Sequence, residues 1–257
     1  MSIASKHLYL NKDIILINTS ITEVDMIDAG FSIIKEKKLF KKNIIEKINK
    51  MEKIEKHIYI GKKLKKNKEV SRIILDTFIE IRENFCSLNK IKPEQILSIK
   101  KDALFLINKE IDHLKIDNYE FKIKNRFTSY LYIKPSKIEV YFKQDDQSLI
   151  IKGLNDEFTE LHSKGFLNLI KDLLIMNENK VEKKYYIDYL KNFRKKFISG
   201  NLDIEFYREF NKNSLFKIDD EKNENIFYIK YVNKDFLEQI NISYNYEIFR
   251  YLCSLFL

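Results

Sequence analysis

The sequence predicts an α+β protein: an antiparallel sheet with helices packed on one face, followed by a helical C-terminal region. Three observations predict it. Residues 95–151 alternate apolar and polar side chains in the two-residue rhythm of strands. Residues 26–88 and 157–197 place apolar side chains at three- and four-residue steps. Hydrophobic residues make up 44% of the 257, enough for a proper core.

The elements follow in order. An extended run from Asp13 to Val24, with Ile14, Ile15, Leu16 and Ile17 as a buried strand, gives way to helix from Met26 onward. Helical patterns continue through Ile44–Lys56 and Val70–Leu88, and Lys62, Lys63, Lys65, Lys66 and Lys68 fall between them as a connection of concentrated positive charge. Strands are expected at Ile96–Ile107, Tyr119–Ile123, Phe127–Ile133, Ile138–Phe142 and Leu149–Ile151. Asp156 is a good helix-starting residue, and amphipathic helices are expected over Glu157–Met176 and Val181–Phe197. Beyond Gly200 lie strand-like segments near Ser214–Ile218 and Ile226–Val232 and a final apolar helix from Tyr244. The domain reading is one α+β domain over 1–155, with a helical insertion at about 42–90, and a mainly helical region over 156–257.

Composition bounds the function. A formal charge of +9 creates a field that attracts phosphate backbones or acidic surfaces, although abundant Lys, Ile and Asn also follow from an AT-rich genome. Fifteen Tyr and nineteen Phe interleaved with Lys suit base stacking as well as packing. No stretch approaches the run of apolar residues that a membrane helix requires, and the first ten residues lack the pattern of a signal peptide. Two well-separated cysteines, Cys86 and Cys253, fit buried thiols in a reducing cytoplasm. His7, His57, His113 and His162 show no zinc-ligand spacing, and no phosphate-binding glycine loop, dinucleotide fingerprint or nucleophile elbow occurs.

Two acids stand apart. Asp25 ends an extended apolar run just before a helix, and Asp102 sits in a Lys-Lys-Asp turn between two apolar strands. If those strands are neighbours, the two carboxylates face one another and can hold Mg²⁺ for phosphoryl chemistry. The ordinary alternatives are a helix N-cap for Asp25 or Asp28 and a hairpin-turn role for Asp102.

These segments resemble the palm of family B DNA polymerases. DMIDAGFSII, residues 25–34, lies over the motif DFxSLYPSII, and SIKKDALF, residues 98–105, lies over YxDTDSxF. The resemblance implies that Asp25 and Asp102 are the catalytic, metal-binding aspartates. It also sets Lys152-Gly153, just before a helical thumb, near a primer end. It covers roughly Thr22 to Met176, in order. Gly30 replaces the tyrosine of the first motif, Phe31 its proline, and Lys100 the first aspartate of the second motif. No finger helix for the incoming triphosphate is recognisable between the motifs.

Two functions are therefore expected. In one, a polymerase-palm-like protein carries out Mg²⁺-dependent nucleotidyl transfer through Asp25 and Asp102. Its Lys62, Lys63, Lys65, Lys66, Lys100 and Lys152 contact nucleic acid, DNA in preference to RNA. In the other, a non-catalytic accessory protein of a phage or mobile element binds nucleic acid or a replication or transcription protein. A membrane partner is not expected.

Overall fold

The computed structural model describes residues 3–11, 15–134, 138–152, 164–199, 201–202 and 244–257. Its strands in chain order are β1 (Leu8–Leu10), β2 (Ile15–Leu16), β3 (Ile21–Met26), β4 (Ile96–Lys100), β5 (Ala103–Ile107), β6 (Lys115–Ile116), β7 (Tyr119–Phe127), β8 (Ser129–Ile133), β9 (Ile138–Lys143) and β10 (Ser148–Lys152). Its α-helices are α1 (Ala29–Glu36), α2 (Lys42–Asn49), α3 (Lys53–Lys66), α4 (Lys68–Leu88), α5 (Lys164–Glu178), α6 (Lys183–Ile198) and α7 (Tyr244–Phe256). The α+β class read from the sequence is the class observed, with two antiparallel sheets in place of one. The chain divides into two units, Met1–Lys12 with Thr19–Arg126, and Asp13–Asn18 with Phe127–Leu257.

The first unit is built on a sheet of order β1-β4-β5-β3-β7-β6. Its centre is a hairpin: β4 and β5 pair antiparallel and close on Lys100 opposite Ala103, leaving Lys101 and Asp102 as the turn. Strand β5 then pairs with β3, Ile21 opposite Ile107 and Asp25 opposite Ala103. Because strand side chains alternate in direction, Val24, Met26, Leu104 and Leu106 share one apolar core with Ile33, Ile34, Ile74, Ile81 and Phe85 from α1 and α4. Helix α4 starts where the Asn67 side chain accepts the Val70 amide at 3.1 Å, an N-cap that satisfies one of the orphan donors of the first turn.

The second unit carries a sheet of order β10-β9-β8-β2. Leu131, Ile133, Val140 and Phe142 share its core with Leu173 and Leu174 of α5, Leu190 and Phe197 of α6, and Phe249 and Leu252 of α7. The rings of Phe193 and Phe249 stack at 5.1 Å between centroids.

Three local expectations change. Helix does not begin at Met26: β3 runs through Met26, Asp28 turns the backbone left-handed at φ 45°, and α1 starts at Ala29. The helical pattern over 44–56 is split between α2 and α3. The lysine cluster is no connection either: Lys62, Lys63, Lys65 and Lys66 belong to the last turns of α3, because Ile60 and Leu64, four apart, carry one apolar stripe through them. The segments at 157–163, 214–218 and 226–232 lie outside the described residues, as do Asp156 and Gly153. Among the described residues no helix is long and apolar enough to cross a membrane.

Candidate functional site

Strand β3 is apolar on one face and acidic on the other. Glu23 and Asp25, two residues apart, share a face, and the β3–β5 register sets them opposite Phe105 and Ala103. Asp102 immediately precedes Ala103, so the hairpin turn delivers it beside Asp25. The electrostatics record this proximity. Burial raises the Asp102 pKa above the ordinary carboxylate value, and the charge of Asp25 raises it further. Its own backbone amide, Lys124 and Lys101 only partly oppose the rise. The fold thus brings together the two acids singled out in the sequence.

Lys124 of β7 completes the cluster. Its Nζ lies 3.3 Å from Asp25 Oδ2 and 3.5 Å from Glu23 Oε1. Burial works to lower the Lys124 pKa, but Glu23 and Asp25 outweigh it and the net direction is upward. Glu23 is only 1% exposed, and its other carboxylate oxygen accepts a hydrogen bond from the Asn125 side chain. Cation and amide together replace the water that a carboxylate loses on burial.

Arg82 fixes the turn from beneath. It is 3% exposed, and its guanidinium donates to three backbone carbonyls: Nε to Ala4 at 2.6 Å, Nη1 to Lys101 at 2.5 Å and Nη2 to Lys6 at 2.5 Å. Burial lowers its pKa, while Cys86, Glu83 and Asp102 act in the opposite direction. The amide of Lys101 also donates to the His7 carbonyl at 3.0 Å. One planar fork therefore ties the N-terminal segment to the residue before Asp102.

Sequence reasoning passed over Glu23, Lys124, Asn125 and Arg82. A signal existed for two of them. Glu23 and Asp25 are charged residues at the two-residue strand period inside an apolar run, and Arg82 falls on the stripe of Ile74, Phe78, Ile81 and Phe85, where a charge needs partners. For Lys124 and Asn125 there was none, since their role depends on which strand lies next to β3.

The remaining predicted residues are more dispersed. Lys100 ends β4 opposite Ala103, half-buried, on the register of the acidic face. In α3, Lys62, Lys65 and Lys66 are on the outer side of the helix, and Lys63 lies over the Tyr59 ring at 5.6 Å. Lys152 belongs to the second unit, where it ends β10 opposite Glu139. Asp28 occupies the N-cap position of α1, yet its side chain caps no amide: it pairs with Lys56 at 2.9 Å.

For a divalent cation the cluster offers hard oxygen donors of the right type, the carboxylates of Asp25 and Asp102, although Lys124 engages Asp25 as well as Glu23, and Asn125 engages Glu23. Among the described residues no group of three or more His, Cys, Asp or Glu side chains is gathered closely enough to hold a metal by itself. A cation here would draw its other ligands from water or a bound phosphate, as Mg²⁺ commonly does.

Comparison with known families decides the lineage: residues 1–256 match the Bacteriophage PBS1 gene 130 protein. The chain belongs to this phage protein family. The match covers both units and so both sheets. No curated protein matches the chain. Of the phage or mobile-element origin expected for the accessory reading, the family supports the phage, and its description names a gene product and no reaction.

Proposed function

We propose that this phage protein handles nucleic acid through a palm-like first unit, in which Asp25 and Asp102 hold Mg²⁺ and carry nucleotidyl transfer. The observation that carries the reading is the coupling of these two acids: they lie far apart in sequence, stand at the same end of the β5–β3 ladder, and the charge of Asp25 makes ionisation of Asp102 more costly. The order strand, helices, hairpin, with the hairpin's second strand paired to the first strand, supports the resemblance stated above. A bound Mg²⁺ supplies a Lewis acid for the transferring phosphoryl group. The chain's own part is to hold both carboxylates on a rigid sheet, with Arg82 fixing the turn that carries one of them. The lysines of α3 and Lys100 offer charge for the backbone of the strand.

A second reading, an accessory protein that binds nucleic acid without chemistry, has its own support. Lys124 already neutralises Asp25, and Lys100 stands where the second motif would have its first aspartate. One experiment separates the two: primer extension on a DNA template with Mg²⁺ or Mn²⁺, wild type beside Asp25→Asn and Asp102→Asn, with binding followed in the same samples. Extension lost in both variants supports transfer. Salt-sensitive binding without extension, unchanged by the substitutions, supports the accessory reading. Absence of both activities overturns both.

A further inference from the structure

The outward face of α3 is apolar where a solvated helix is ordinarily polar. Ile54 is 75% exposed and Ile58 53%. Among the described residues they are the only two exposed large hydrophobics set one helical turn apart, so they form a continuous ridge. Neither joins the core cluster that Tyr59, Ile60 and Leu64 of the same helix enter, so the ridge is not the margin of the core.

Gly61 adds an independent observation. At about 100° per residue, Ile54, Ile58, Gly61 and Lys65 fall within roughly 60° of one another on the helix. A glycine inside a helix is less stable there than an alanine, and it earns its place where another group must come close. A Cβ built at Gly61 meets nothing within 4 Å, so internal packing does not require glycine here and the hollow is open to a chain from outside. A ridge beside a hollow is the relief into which a second helix packs.

The charge around this strip selects the partner. Lys62, Lys65 and Lys66 flank it, Lys53 stands at its start, and Glu55 is the helix's single carboxylate. Those four lysines make no ion pair among the described residues, whereas Lys56 of the same helix pairs with Asp28. We propose that this face docks an amphipathic helix of a protein partner. Its apolar stripe covers Ile54 and Ile58 and approaches closely at Gly61, and its flanking Asp and Glu side chains meet the lysines. A nucleic-acid strand would engage the lysines and leave both isoleucines in water, and a bilayer calls for an apolar face broader than two side chains. The proposal does not rest on the Asp25–Asp102 reading. It shares the lysines with nucleic-acid binding, and the isoleucines separate the two.

Fluorescence anisotropy of the full chain with a labelled synthetic helix tests it. The probe carries Leu at i, i+3, i+4 and i+7 with Glu at the flanking positions, and its controls are a scrambled isomer and a version with Lys for Glu. The acidic helix should bind at least about tenfold tighter than either control. Ile54→Ser with Ile58→Ser should weaken it about tenfold and leave binding of a single-stranded oligonucleotide unchanged. Both positions are exposed, so this variant should fold as wild type does. Gly61→Ala should raise the melting temperature and yet weaken the helix roughly fivefold, opposite directions that a purely structural glycine would not produce. An acidic helix bound no better than its scrambled isomer, or bound equally by the double isoleucine variant, overturns the proposal. So does binding of phosphatidylglycerol vesicles in preference to the helix.

Discussion

Asp25 raises the pKa of Asp102. The two carboxylates lie near enough to interact because β3 pairs with β5 and the β4–β5 turn sets Asp102 one residue before the partner of Asp25. A raised carboxyl pKa in the folded state means that the folded chain binds more protons than the unfolded chain between the two pKa values. Stability therefore falls as pH rises through that window. Asp102→Asn, an uncharged mimic of the protonated acid, should raise the urea midpoint at pH 7 to 8. The gain should vanish below about pH 3, where Asp102 is protonated in both states. An Asn variant less stable than wild type at neutral pH would refute the coupling.

Lys124 competes with any cation for Asp25. Lys124→Ala should cost about 1 to 2 kcal/mol of stability, less than a fully buried pair, because the lysine is 44% exposed and screened while Glu23 keeps Asn125. The same substitution should tighten Mg²⁺ binding, read as a larger upward shift of the melting temperature with added Mg²⁺. Asp25→Asn should abolish that shift. Equal shifts in all three proteins would show that the cation acts elsewhere.

Arg82 satisfies three carbonyls at once, and no other side chain reproduces that fork. Arg82→Lys should lose nearly as much stability as Arg82→Met, on the order of 2 kcal/mol, because the buried Ala4 carbonyl and the part-buried carbonyls of Lys6 and Lys101 lose their shared donor in either variant. Hydrogen exchange should quicken at Lys101, whose amide bonds to the His7 carbonyl. Protection at Lys101 that survives the substitution would place the anchor of the turn elsewhere.

The α3 lysines should act through charge alone. Replacing Lys62, Lys65 and Lys66 together by Ala should weaken DNA binding uniformly across sequences. It should also flatten the slope of log K against log salt by about 2 to 3, close to 0.9 for each phosphate no longer neutralised. An unchanged slope would leave these residues as the solvated end of a helix, where cations also suit the macrodipole.

Cys86 should be chemically silent in the folded state. Burial pushes its pKa up to about 11, with Arg82 opposing and Glu83 adding to the rise, so about one thiol in a thousand is ionised at pH 8. Reaction with a thiol reagent at pH 8 should wait on unfolding at this position, and peptide mapping after brief labelling checks it. Prompt labelling of Cys86 would mean that α4 opens readily.

The hairpin was legible because its signal is local: Ile96–Ile99 and Ala103–Ile107 are apolar strands around a polar turn, and β5 sits there to the residue while β4 runs one residue further, taking Lys100 out of the turn. Helix α4 was legible for the same reason, its stripe running unbroken from Val70 to Phe85. The start of α1 was misread, since a strand and a helix both tolerate Met26 and Ile27, and the left-handed turn at Asp28 is not announced by a glycine. The α3 lysines were misread because charge density masked a two-residue apolar stripe.

By itself the sequence determined the α+β class, the β4–β5 hairpin, the later strands β7 to β10, most helices and the basic charge, and it singled out Asp25 and Asp102, whereas β1 and β6 were not expected and the run from Asp13 to Val24 divides between β2 and β3. The features it determined are properties of short windows, where periodicity and turn chemistry act over a few residues. Only the tertiary structure decided that the strands between 96 and 152 divide into two sheets, that β3 lies between β5 and β7, and hence that Lys124, Asn125 and Arg82 surround the acidic pair. The period of a strand tells which face is buried and says nothing about its neighbour. Partner choice follows from packing of the whole core, so a site assembled from residues as far apart as 23, 82, 102 and 124 exists only once the chain has folded.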